Sequence, residues 1–238
     1  MIPLGDNIPS RRFPTVTVTL IVVNSIIFLL EVFLKPATAN QLAQMFGAVP
    51  INITTQWTNP LTLATLVTAT YLHGGWAHLI GNMIYLAIFG DNVEDRMGHV
   101  GFFIFYTLCG VLSGVAQVMA MPTSRIPAIG ASGAIAGVLG AYLVLFPRAR
   151  VRTLVPLIFI YTTVYLPAVL VLGGWFLVQF FNGLASINVN VQTGGVAWWA
   201  HIGGFIVGMI LMPLFRQKQP PAPPTYVYDG SRYWRDDF

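Results

Sequence analysis

Apolar residues run along this chain in long blocks rather than at the 3.6- or 2-residue periods of half-buried helices and strands. The blocks cover residues 14–34, 76–91, 99–121, 132–146, 164–182 and 197–215. Each is broken by polar or proline-containing stretches: Asp91 to Arg96, Met121-Pro122, Phe146-Pro147-Arg148, and the polar run after Phe215. A helix needs about 20 apolar residues to cross a bilayer, so the pattern predicts an all-α polytopic membrane protein with six transmembrane helices. Residues 153–182 are apolar throughout, and Pro156 and Pro167 divide them, which places the fifth helix in the second part. The connection 35–75 holds the breakers Pro36, Pro50, Asn59-Pro60 and Gly74-Gly75, together with an apolar stretch from Leu61 to Leu72 that is too short to span. The predicted organisation is a cytoplasmic segment 1–13, a six-span domain 14–215, and a Pro-rich disordered tail 216–238.

Composition agrees with lipid as the solvent. Of 238 residues, 55% are hydrophobic and 8% charged, far below the roughly 25% charged of soluble domains. The net charge of +4 comes from scattered arginines and lysines with no basic stripe, so no nucleic-acid partner is expected. Their distribution sets the topology. With six spans, Arg11, Arg12, Arg96, Arg148, Arg150, Arg152, Arg216, Lys218, Arg232 and Arg235 share one side, and only Lys35 and Arg125 lie on the other. Positive charge stays inside, so both termini are expected in the cytoplasm. The first apolar block is too long for a signal peptide and reads as a retained span. The single Cys109 lies in an apolar run and reads as a small buried hydrophobe.

Polar groups inside spans are costly and mark function. Three spans carry them at one depth: His78 and Asn82 in the second, Ser132 in the fourth, His201 in the sixth. All three enter from the non-cytoplasmic side, so the four residues fall within about 10 Å of one edge. A serine hydroxyl needs a base to become a nucleophile, and histidine is the usual one. His78 and Asn82 stand at i and i+4 on one helix face. With the backbone N–H of Ser132 they are expected to form an oxyanion site. No span offers an acid suited as a third triad member, so the pattern is a Ser132–His201 dyad. Gly133, Gly137, Gly140 and Ala141 in the fourth span, and Gly204 and Gly208 in the sixth, allow close helix contact. His73 reads as a loop residue bonded to backbone. Glu94, Asp95 and Arg96 read as a solvated or loop-fixing cluster, and His99 as interfacial.

The chain resembles the rhomboid intramembrane serine proteases. The match runs through His73-Gly74-Gly75-Trp76-Ala77-His78-Leu79-Ile80-Gly81-Asn82-Met83, Gly130-Ala131-Ser132-Gly133-Ala134-Ile135, and Ala200-His201-Ile202-Gly203-Gly204 with Gly208. Trp175-Phe176 with Gln179, and Met1-Ile2-Pro3-Leu4 with Pro14, are weaker echoes. The resemblance implies a six-helix bundle of the bacterial or archaeal type in a prokaryotic plasma membrane. It implies Ser132 as nucleophile, His201 as base, His78 and Asn82 at the oxyanion, no cofactor, and transmembrane proteins as substrates cut near the outer face. An inactive relative that binds membrane clients is the alternative. Two positions depart from the family: Ala136 stands where some members have a tyrosine stacked on the catalytic histidine, and Trp57-Thr58 replaces a Trp-Arg pair in the first loop. The first departure leaves open what orients His201.

Overall fold

The computed structural model describes residues 2–157, 160–187, 196–217, 226–229 and 232–235. Helices stand at all six predicted blocks: α1 (Thr15–Val32), α5 (Trp76–Met97), α6 (His99–Ala120), α7 (Ser132–Leu145), α8 (Ala168–Ile187) and α9 (Trp198–Phe215). Between α1 and α5 lie α2 (Pro36–Phe46), α3 (Pro50–Thr55) and α4 (Pro60–Thr68), each begun by a proline at its first position. The missing N–H of proline costs nothing there. The helices α1, α6, α8 and α9 are long and apolar enough to cross a membrane. Helix α7 has 14 residues, about 21 Å, and α5 carries Asp91, Glu94, Asp95 and Arg96 in its last turns.

Three expectations need correction. The chain is mostly helical but not all-α. Strand β1 (Ile2–Asp6) pairs antiparallel with β2 (Arg150–Leu157), which pairs antiparallel with β3 (Ile160–Pro167). The fifth helix therefore begins at Ala168 rather than near 164. Apolar content hid a two-residue period: Val151 and Thr153 are buried while Arg150 and Arg152 are exposed, as a strand over a core requires. Second, α5 runs six residues beyond Asp91 because its polar residues are paired inside the protein rather than solvated. It ends at Gly98, whose φ of 71° suits glycine. Third, within the tail expected to be disordered, β4 (Tyr226–Asp229) pairs with β5 (Arg232–Arg235). Asp229-Gly230 between aromatic stretches is a hairpin signal, and the rest of the tail beyond Gln217 lies outside the described residues.

Glu94 is the chief of those paired groups. Only 1% exposed, it accepts hydrogen bonds from Val16 N (2.9 Å), Thr17 N (2.8 Å) and Thr17 Oγ1 (2.7 Å), and its Oε1 lies 2.6 Å from His99 Nδ1. Helix α1 has no side-chain cap of its own. A carboxylate from α5 satisfies its first N–H groups and faces its positive end. Beside it, Asp6 of β1 accepts from Tyr142 Oη (2.5 Å) and Asn92 Nδ2 (3.0 Å), tying the sheet to α5 and α7. The Gln217 N–H donates to Arg96 O (2.9 Å), so the end of α9 joins this same side. Arg11, Arg12, Arg96, Arg148, Arg150, Arg152 and Arg216 gather there.

The opposite end is closed by the loop before α7. Ala48 and Ala128 pair through both backbone groups (3.0 and 2.9 Å), Ile51 N donates to Ser124 O (3.0 Å), and Gly130 N to Ala69 O (2.8 Å). Ala48, Ile53, Leu66, Ala69 and Val118 form a small core beneath it. The main core of Leu86, Phe89, Phe102, Phe105, Leu139 and Tyr142 is fully buried between α5, α6 and α7.

The tightest packing joins α7 to α9. A methyl on Gly204 would lie 2.1 Å from Gly133 O, one on Gly208 1.9 Å from Gly137 O, and one on Gly140 2.1 Å from Phe205 O. Only glycine lets the backbones meet at those points. Gly208→Ala is therefore expected to lower stability by about 1–3 kcal/mol through overpacking. Gly173→Ala on α8, where an added methyl meets nothing within 4 Å, is expected not to lower it. Thermal unfolding of both variants in detergent checks this.

Candidate active site

Ser132 is the first residue of α7 and half-buried; His201 lies in the first turn of α9 and is buried. The glycine-lined crossing brings these two helix starts together. Ser132 Oγ and His201 Nε2 are 2.7 Å apart. The start of α9 is fixed from α6, where Gln117 Oε1 accepts the Ala200 N–H (3.2 Å). Ser113 of α6 packs against Gly133, where an added methyl would lie 2.1 Å from its Oγ.

His201 Nδ1 is 2.8 Å from Gln179 Oε1 on α8. Gln179 Nε2 points back to Trp175 O at 3.4 Å. An amide oxygen only accepts, so His201 carries its proton on Nδ1 and presents a lone pair at Nε2 to the serine hydroxyl. The Trp175 ring lies 5.8 Å from the imidazole at 34°, and Trp198 lies edge-on at 6.3 Å and 87°. These are the side chains that contact His201 beside Ser132.

His78 and Asn82 project from the first turns of α5 toward the loop before Ser132. Gly130 has φ of 119°, and a methyl there would lie 2.6 Å from His78 Nε2 and 3.7 Å from Asn82 Nδ2. His78 Nδ1 accepts the Gly74 N–H (3.4 Å), which leaves Nε2–H as the donor on the side of Gly130. Asn82 Nδ2 is 3.0 Å from His73 Nε2. Asn82 donates, so His73 is neutral and accepts. Burial first, and His78 second, bring the His73 pKa down to about 4, in keeping with that role. His73 packs edge-on to His78 at 5.1 Å, and its backbone N–H donates to Glu31 Oε2 (3.3 Å).

All four residues singled out from the sequence thus gather at one end of the bundle, Ser132 and His201 in direct contact. His73 bonds Asn82 through its ring in addition to the backbone of Tyr71, the loop partner expected for it. Glu31, Gln117 and the full part of Gln179 were missed, although all three are polar groups in apolar helices and the same rule flags them. Among the described residues, no three His, Cys, Asp or Glu side chains converge as metal ligands. A hydroxyl bonded to an unprotonated imidazole, with donors on the adjoining loop and helix, is suited to nucleophilic attack on a carbonyl.

The Rhomboid domain family matches residues 60–218. Rhomboid-like protein 11, chloroplastic, of Arabidopsis thaliana is 29% identical over 165 residues, covering 66% of this chain and 53% of its own length. Rhomboid protein 1, mitochondrial, of Saccharomyces cerevisiae is 28% identical over 152 residues, 61% of this chain and 40% of its own. Presenilin-associated rhomboid-like protein, mitochondrial, of Mus musculus is 28% identical over 152 residues, 60% and 36%. The chain spans about half the length of these relatives or less. Their names are organellar and lend no weight to a prokaryotic plasma membrane; the membrane itself is supported by the apolar helices and the family.

Gly130→Ala is expected to reduce any activity of the site far more than stability, because the methyl would displace the His78 ring and strain a backbone that favours glycine. Chemical labelling of Ser132 beside thermal unfolding, both against the parent chain, checks it.

Proposed function

Because the chain belongs to the rhomboid family, we propose that it is an intramembrane serine endopeptidase that cuts single-span membrane proteins. The observation that carries this is the 2.7 Å contact between Ser132 Oγ and His201 Nε2. His201 takes the hydroxyl proton as Ser132 Oγ attacks the scissile carbonyl. The oxyanion that forms meets the His78 Nε2–H, the Asn82 amide and the Ser132 backbone N–H. His201 then passes its proton to the leaving amine. A water deprotonated by His201 hydrolyses the acyl-enzyme and restores the serine.

In this reading all six helices at the apolar blocks cross the bilayer, the short α7 and the polar-ended α5 among them, the arginine-rich end faces the cytoplasm, and the dyad opens toward the opposite face. Water reaches it from there. A substrate helix must unwind to offer a carbonyl, and in lipid its freed N–H and C=O groups need partners. Segments with Gly, Pro or polar residues near the cut are therefore the expected substrates.

Purified chain in liposomes, given a panel of single-span substrates, tests the proposal. Ser132→Ala and His201→Ala are expected to fall below ~10⁻³ of the parent rate with the fold retained, and a fluorophosphonate is expected to label Ser132 alone. Cleavage by Ser132→Ala at the parent rate would sink the mechanism. A chain that binds these substrates yet neither cuts nor labels is instead the non-catalytic binder.

A further inference from the structure

We propose that Gln179 is the positioning residue of the dyad, supplying from α8 the orientation that other serine hydrolases draw from a third acid; this rests on the protease reading above. Gln179 is 6% exposed and His201 8%, so no bulk water competes for the bond between them. That bond, 2.8 Å from Oε1 to Nδ1, is the only contact among the described residues that fixes which nitrogen of His201 holds the proton. Turned over, the amide would present Nε2–H to Nδ1. Nδ1 would then have to accept, the proton would move to Nε2, and the imidazole would donate to Ser132 Oγ instead of receiving its proton.

The amide is kept from turning by its own helix. Trp175 stands four residues earlier, on the same face of α8, and its carbonyl is the acceptor toward which Gln179 Nε2 points. A carbonyl cannot donate, so it selects the rotamer with Oε1 toward His201. The Trp175 ring lies along the imidazole and limits its tilt. One Trp-x-x-x-Gln turn therefore sets both the ring plane and the tautomer.

A neutral amide also suits the depth. A carboxylate here would hold the imidazolium more strongly in the transition state but would have to be buried as a charge in the resting enzyme. Glutamine provides an acceptor without that cost. It follows that adding the charge should alter the basicity of His201 while keeping the hydrogen bond.

The test measures kcat, KM and the pH profile of the full chain in liposomes for the parent, Gln179→Met and Gln179→Glu, with Ser132→Ala as the blank. Gln179→Met keeps length and volume but removes the acceptor. It is expected to lose roughly 10²-fold in kcat, the scale of a small misplacement, with KM little changed and fluorophosphonate labelling slowed in parallel. Gln179→Glu is expected to retain more activity at high pH and to shift the acidic limb of its profile to higher pH, because a carboxylate holds the imidazole proton. A purely structural role moves neither the kcat–KM split nor the limb. Parent-like kcat in Gln179→Met, or a Gln179→Glu profile superimposed on the parent's, overturns the proposal. Should Gln179→Met not fold, the Gln179→Glu profile decides alone. A parent chain no faster than Ser132→Ala fails the protease reading, and the role of Gln179 falls with it.

Discussion

The structure depends on the backbone contact between α7 and α9. Lipid tails are as apolar as leucine, so no hydrophobic force drives two helices together in a bilayer, and packing must do it. Gly133, Gly137 and Gly140 on one helix and Gly204 and Gly208 on the other remove the side chains that would hold the axes apart. Dispersion then acts at the closest range a polypeptide allows. Ser132 stands one residue before the first of these glycines and His201 three before Gly204. Their separation is therefore fixed by the crossing and not by their own rotamers alone. Two residues 69 positions apart in the chain meet at 2.7 Å because the contact beside them is rigid.

The two ends of the bundle use polar groups differently. At the arginine-rich end, each buried group has several partners: Glu94 takes three hydrogen bonds from the start of α1 and meets His99, and Asp6 takes two from α5 and α7. Breaking such a set strands several donors at once, so this end is an anchor. At the other end the side chains are linked in a chain, each by one or two bonds. Ser132 has His201, His201 has Gln179, Asn82 has His73, and the loop through Gly130 is held by backbone bonds to Ala48, Ile51 and Ala69 rather than by side chains. The proposed proteolysis, in which the site takes in a substrate and exchanges protons, is better served by such a chain of links than by a saturated network.

The parts legible in the sequence were those where lipid imposes a rule. Uniform apolar blocks gave the six helices, and polar residues inside them gave Ser132, His201, His78 and Asn82. The parts that were not legible share a cause, which is that composition does not say who the partner is. Asp91 to Arg96 look like a water-facing stop, yet Glu94 is buried because the start of α1 lies across from it. Residues 153–163 look like an apolar approach to the fifth helix, yet β2 pairs with β1, more than 140 residues away, and with β3. Gln179 is visible as a polar residue in an apolar helix, but glutamine at such a place can equally bond its own backbone, and the choice of His201 as partner is made by the packing of α8 on α9.

The side chains bonded directly to the dyad and to Asn82 also carry no formal charge, the Glu31 carboxylate reaching only the His73 backbone. His73 is held neutral, with its pKa brought to about 4 by burial, and the groups nearest the dyad are an amide, imidazoles and backbone. A resting charge at this depth would have to be desolvated. In the proposed proteolysis the charge pair would exist only while the peptide bond is broken and need not be desolvated at rest, since imidazolium and oxyanion would arise together and face dipoles already in place. In a low-dielectric surrounding those dipoles act more strongly than in water and need no reorganisation. Among the described residues no buried acid stands beside His201, and the proposed chemistry explains why: fixed dipoles, oriented by helix packing, stand in for fixed charges that lipid would make expensive.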